Sequence, residues 1–152
     1  MWIVAGDIDP NEWVGKWPQI RFDQLRYPEK MTVKTLDLFN KMVTDAEFKN
    51  SWSYQINSSY RPGDPRFHGK GMAIDGVLFD QKGVALPLET QYAFIKKYEW
   101  GGVGLYPFWN TAQGWHVDTR EGWDHVATWW RDNKGNYKGL AELYNATGIQ
   151  LA

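Results

Sequence analysis

Cysteine is missing from this chain, and histidine occurs only three times in 152 residues. Without cysteine there is no disulfide and no thiolate metal site, so a bound transition metal must be taken by nitrogen and oxygen donors. An excess of charge is lacking too, since 17 basic and 18 acidic residues leave a net charge of −1. That balance offers no electrostatic footprint for nucleic acid or an anionic lipid surface, and no like-charge run marks a tail. No apolar stretch approaches the roughly 20 residues that cross a bilayer. The opening Met1-Trp2-Ile3-Val4-Ala5-Gly6-Asp7 has neither the basic start nor the apolar core of a signal peptide. The expectation is a soluble protein that does not export itself and has no nucleic-acid or membrane partner.

Aromatic residues, by contrast, are plentiful, with ten tryptophans in the chain. Large rings serve chiefly as core, each burying roughly 150–250 Å². The sharper alternative is a stacking platform for sugars or peptides along a groove. Trp129-Trp130 is the pair to watch, because neighbours on a strand face opposite sides and one of the two is then free of the core.

The length fits one domain. Residues 1–30 carry Pro10, Pro18 and Pro28 without a clear period and read as an irregular wrapping segment with room for short strands. Val33, Leu36, Phe39 or Asn40, Val43 and Ala46 recur at helical spacing, which predicts a helix from Thr32, as N-cap, to about Lys49. Tyr54, Ile56, Ser58 and Tyr60 alternate with polar residues and predict a strand running into the Pro62-Gly63-Asp64-Pro65 turn. A second strand is expected over 72–79, a helix from Pro87 toward Gly101-Gly102, and short strands over 103–106 and 115–119. Residues 121–152 read as a turn at Asp132-Asn133-Lys134-Gly135 and a closing helix over 140–146, with Gly148 beyond its end. The fold class expected is α+β, one domain built on a small antiparallel sheet with flanking helices.

Two of the three histidines, His68 and His116, fall in two segments that each carry a carboxylate a few residues on. His68 is followed by Asp75, with Gly69 and Gly71 between them to let the backbone bend, and His116 is followed by Asp118 on the same strand face. Two imidazoles and one carboxylate suit Zn²⁺, which takes three protein ligands in a catalytic site and keeps a fourth position for water. The His-x6-Asp spacing alone equally describes ordinary hydrogen-bonding residues.

Several segments together are more specific than that spacing. Ser58-Ser59-Tyr60-Arg61, His68-Gly69-Lys70-Gly71-Met72-Ala73-Ile74-Asp75, Gly101-Gly102-Val103-Gly104-Leu105-Tyr106-Pro107 and His116-Val117-Asp118-Thr119-Arg120 occur in that order over residues 32–120. They resemble the motifs of peptidase family M15, which includes zinc D-Ala-D-Ala carboxypeptidases and phage endolysins. The resemblance implies the fold of that family and a zinc site formed by His68, Asp75 and His116. It implies that Arg61 orients substrate or stabilises a developing oxyanion, a task suited to a fixed fork of donors. It further implies that Asp118 orients a ligand histidine. The substrate implied is a peptide of bacterial peptidoglycan. The place implied is a phage virion, with other virion proteins as partners, or the host cytoplasm before release to the wall. His125 matches no motif and reads as structural or surface.

The chain departs from the pattern at three positions. Active relatives carry an acid three residues before the last ligand or a histidine two before it, where Gln113 and Gly114 stand here. Arg66 replaces the serine two before the first ligand. Since general-base help is worth about 10²–10⁴-fold, the loss matters. Asp64 and Asp118 are the carboxylates near enough in sequence to substitute. A zinc-binding module with little or no turnover is therefore the second expectation. A zinc-free aromatic binder of wall glycans is the third.

Overall fold

In the computed structural model, which describes residues 2–122 and 124–151, a six-stranded sheet runs through the middle of the molecule. Its strands are β1 (Ser53–Ser58), β2 (Ala73–Phe79), β3 (Gly102–Tyr106), β4 (Gly114–Asp118), β5 (Ala127–Arg131) and β6 (Tyr137–Lys138), in the spatial order β1-β2-β4-β3-β5-β6. The helices are α1 (Pro10–Lys16), α2 (Val33–Asn50), α3 (Leu88–Ile95) and α4 (Leu143–Thr147). The chain is thus α+β.

Alternation along the strands gives the sheet two chemically different faces. Ile74, Leu78, Val103, Leu105, Trp115, Val117 and Trp130 all enter the apolar core. Helix α2 covers that face with Leu36, Phe39, Met42, Val43 and Ala46, and the Phe39 ring lies 6.3 Å from Trp115. Thr32 caps α2 by accepting from the Thr35 amide, and the Thr35 hydroxyl is 2.6 Å from that of Thr119 at the end of β4. The intervening residues Asp75, His116, Asp118 and Trp129 therefore emerge on the opposite face.

The expected antiparallel sheet is in fact mixed. β5 lies parallel to β3, with Gly102 beside Ala127 and Leu105 beside Trp130. The chain leaves β4 beside Gly102 and enters β5 beside the same residue, so it skips one strand position instead of forming a hairpin. Residues 121–152 were expected to hold only a turn and a helix, which left no strand to pair. The β5–β6 ribbon flanks that turn.

The first 30 residues wrap the core as expected but include α1. Asp9 accepts from the Glu12 amide at 3.0 Å, and Pro10 occupies the first helical turn. The wrap is pinned through its tryptophans, with Trp13 donating to the Ile20 carbonyl and Trp17 to Asp37 of α2. Short strands are absent from this segment among the described residues, apart from an isolated bridge between Val4 and Thr32. Helix α3 stops at Ile95, short of the expected Gly101-Gly102, because the chain turns there to bring Tyr98 onto Asp45.

Candidate metal centre

Asp75 of β2 and His116 of β4 are direct cross-strand partners in the sheet register. Opposed side chains on one face lie close enough to share a ligand. His68 arrives from outside the sheet, on a short 3-10 turn over Phe67–Lys70. That turn ends at Gly71, which has a φ of +70° and whose Cβ position would fall 2.0 Å from the Lys30 carbonyl oxygen. A side chain there meets both left-handed strain and a backbone clash, so glycine is required.

The donor atoms converge. His68 Nε2 is 3.1 Å and His116 Nδ1 2.9 Å from the same oxygen of Asp75. One donor atom from each of the three lies within 4.8 Å of the others, and all three residues are buried. Neighbouring ligands on a tetrahedral zinc, with bonds of about 2.0–2.2 Å, stand roughly 3.3–3.5 Å apart. The cluster could hold a metal ion with only small side-chain adjustment.

The outer nitrogens fix which atoms face the centre. His68 Nδ1 is 2.7 Å from the Ser59 carbonyl, which can only accept, so Nδ1 carries the proton and Nε2 is the inward donor. His116 Nε2 is 2.7 Å from Asp118, leaving Nδ1 inward. Asp118 is itself held by Arg120, whose Nε and terminal nitrogen donate at 2.9 and 2.7 Å. Each candidate imidazole ligand is thus oriented by an acceptor behind it, as metal-binding histidines generally are.

Charge in the cluster is tightly matched. Burial pushes the Asp75 carboxyl up, but its close contacts with His116 first and His68 second outweigh it and hold the group down at about 2. Burial likewise disfavours charge on Asp118, yet Arg120 and His116 hold it well below the usual carboxylate range. His116 is shifted upward, because the bonds to Asp118 and Asp75 together overcome the burial that opposes its protonation. In the absence of metal the ring lies between two carboxylates, which favour its protonated form.

A cleft of about 410 Å³ opens over the cluster. Arg61 and Asp64 form one side, Tyr106, Trp129 and Tyr137 the other, and His68 and His116 the floor. The Arg61 guanidinium bridges Asp64 and the second oxygen of Asp75, at 3.7 and 3.6 Å. Arg120 stacks on Phe67 at 4.3 Å and lies 5.2 Å from the Trp129 ring. Trp129 can cross the sheet because Gly104 lies beneath it, where a Cβ would come within 2.5 Å of the indole. A larger groove of about 570 Å³ lies between Trp2, Ile3 and α2, but among the described residues it holds no convergent set of metal donors. Volume alone does not locate the chemistry.

The five residues singled out from the sequence fall in one place: His68, Asp75 and His116 at the centre, Arg61 in the cleft wall and Asp118 behind His116. Asp64 lines the cleft, whereas Asp118 is fully enclosed and does not. Gln113 turns away, donating to the Pro107 carbonyl at 3.2 Å. At Gly114 a Cβ would fall 2.4 Å from both the Gly76 carbonyl oxygen and the Trp109 ring, so an indole fills the space of any side chain there. His125 is exposed and paired with Asp124. Tyr106, Arg120 and Tyr137 were not foreseen as part of the site. Tyr106 could have been found from its two-residue offset to Gly104, while Tyr137 depends on the unforeseen β5–β6 ribbon.

Comparison of the chain with known protein families, curated proteins and solved structures finds no match.

Proposed function

We propose that the protein is a zinc-dependent peptidase that hydrolyses peptide bonds of bacterial peptidoglycan, in the manner of a phage lysin or virion-borne enzyme. One observation carries this reading: two buried imidazoles and a carboxylate aim their donor atoms at a single point on the floor of an open cleft. The nitrogen and oxygen set, with an acceptor behind each imidazole, suits zinc. The ordered likeness to the M15 motifs supplies the substrate class.

A zinc ion held by His68, Asp75 and His116 would supply Lewis-acid polarisation of a carbonyl and an acidified water. The chain's own groups supply the rest. Arg61, half exposed beside Asp75, is placed to hold a substrate carbonyl or carboxylate. Asp118 and Arg120 keep His116 in the tautomer that presents Nδ1. Tyr106 stays a neutral phenol, because burial, aided by Asp75, raises it far above physiological pH. It is a donor toward the cleft, not a base. Asp64 is the carboxylate left in the cleft wall among the described residues, and it takes the base role in this reading.

A second reading rests on Gln113 and Gly114, neither of which sends a proton acceptor into the cleft. It makes the chain a zinc-binding module with little turnover on the same scaffold. Zymography on purified cell walls, run with and without a chelator alongside metal analysis, separates the two. Clearing that disappears with the metal supports the peptidase, zinc without clearing supports the module, and clearing that survives complete metal removal contradicts both.

A further inference from the structure

The aromatic residues left over from the core and the metal cleft gather at a second place. A cleft of about 330 Å³ shares Tyr106 with the metal cleft as a common wall. One flank is formed by Tyr106, Phe108 and Trp109, the other by Arg131 at the end of β5 and Asn133 and Lys134 of the β5–β6 turn. Tyr106 and Trp109 stack almost flat, with centroids 4.5 Å apart and planes 8° from parallel. Phe108 leaves 46% of its surface exposed beside them, so its ring is accessible at the mouth of the cleft.

The opposite flank is polar and fixed. Asp132 accepts from the amides of Lys134 and Asn136 at 2.9 Å each, and Lys138 lies 3.6 Å away, so its charge is already engaged within the turn. What remains for a ligand is the Asn133 amide and the Lys134 ammonium opposite a wall of rings, with the Arg131 guanidinium beside them over the Tyr137 ring at 5.8 Å. Apolar ring faces against a few placed donors are the chemistry of a saccharide, whose C–H face stacks while its hydroxyl and N-acetyl oxygens accept. An extended peptide is poorly suited here. β3 and β5 already have strands on both edges, so no chain can add to them as a further strand.

We propose that this cleft is a saccharide subsite that holds an N-acetylated amino sugar of the wall glycan next to the peptide in the metal cleft. The inference rests on the wall-peptidase reading for the identity of the sugar and deepens it: the substrate is a glycan-linked peptide, not a free stem peptide. Continuity through Tyr106 puts sugar and scissile bond on one substrate.

The test is a titration of the full, zinc-loaded chain with a chitin trisaccharide, followed through the backbone amide signals by heteronuclear NMR. A sugar-free wall stem peptide serves as the comparator. The trisaccharide is expected to shift the amides of Phe108, Trp109, Asn133 and Lys134, while the stem peptide shifts those around His68 and His116. Phe108→Ala, at an exposed ring, should weaken the trisaccharide about five-fold, the scale of one aromatic contact. Asn133→Ala, which leaves the rings intact, should weaken it as well. No shift at these amides, or unchanged affinity in both variants, would overturn the subsite. Normal wall clearing without trisaccharide binding would sink the subsite alone. Trisaccharide binding by a chain that clears no wall would uphold the subsite and count against the peptidase.

Discussion

His116 matters more than any other residue, because it contacts two carboxylates when metal is absent and must present an unprotonated Nδ1 to bind an ion. Its raised pKa sets the sign of the pH dependence. Without metal, the charged ring contributes stability that is present in full below its unfolded value of about 6.5 and is lost as pH rises through the higher folded value. Asp75, held at about 2, contributes stability present above the unfolded value and lost as pH falls through that folded one. Zinc competes with the His116 proton, so zinc affinity should climb with pH until the ring is neutral and then level off. Competition with a chromophoric chelator across that range checks it, and an affinity flat with pH would contradict it. Asp118→Ala removes the acceptor behind His116 and should weaken zinc by about 10–100-fold without abolishing it. His68 and Asp75 were legible as candidates from residue type and motif order. The tautomers were not, since the Ser59 carbonyl that fixes His68 is a backbone atom nine positions away and leaves no trace in residue identity.

At the scale of elements, β2 and β4 read well because each alternates cleanly between core and site. Trp129 and Trp130 behave as adjacent strand residues should: Trp130 is buried, while Trp129 is half-buried over the metal cleft. What escaped the sequence was their strand's partner, since nothing in five residues tells parallel pairing to β3 from a hairpin. Helix α1 was legible in Asp9-Pro10 and Glu12 but was obscured by the prolines around it. Asp9→Ala should lower stability by about 1 kcal/mol, as loss of an N-cap does. Phe39→Ala, in the layer between α2 and the sheet, should cost about 3–5 kcal/mol by calorimetry or denaturant melt. Trp129→Ala should cost less, because its ring faces the cleft. The structure also argues against restoring a general base on β4. Gly114→His would force a side chain into the Gly76 carbonyl and the Trp109 ring, so it should destabilise the fold without increasing wall clearing. Asp64→Asn is the informative change: turnover should fall by about 10²–10⁴-fold with zinc retained. Unchanged turnover would remove Asp64 from the mechanism.

For the molecule as a whole, one sheet separates a stabilising face from a chemical one. α2 and the tryptophan-pinned wrap cover the first, and the second presents buried charges that are matched within the cluster. Periodicity along the chain made the α+β class legible, and the absence of cysteine confined any metal site to nitrogen and oxygen donors. It could not show that residues 127–138 add two strands whose turn walls a second cleft. Because the three donors belong to separate segments of the chain, a bound ion ties β2, β4 and the 3-10 turn together. Zinc at about 100 times its dissociation constant should add about 2.7 kcal/mol, raising the melting temperature by roughly 5–10 °C, and a chelator should reverse it. The most direct measurement is metal analysis of the purified chain by atomic emission, beside His68→Ala and His116→Ala. One zinc per chain in the native protein, lost in both variants while they remain folded, is the predicted result. No stoichiometric metal in the native chain, or metal retained when either histidine is gone, would contradict it.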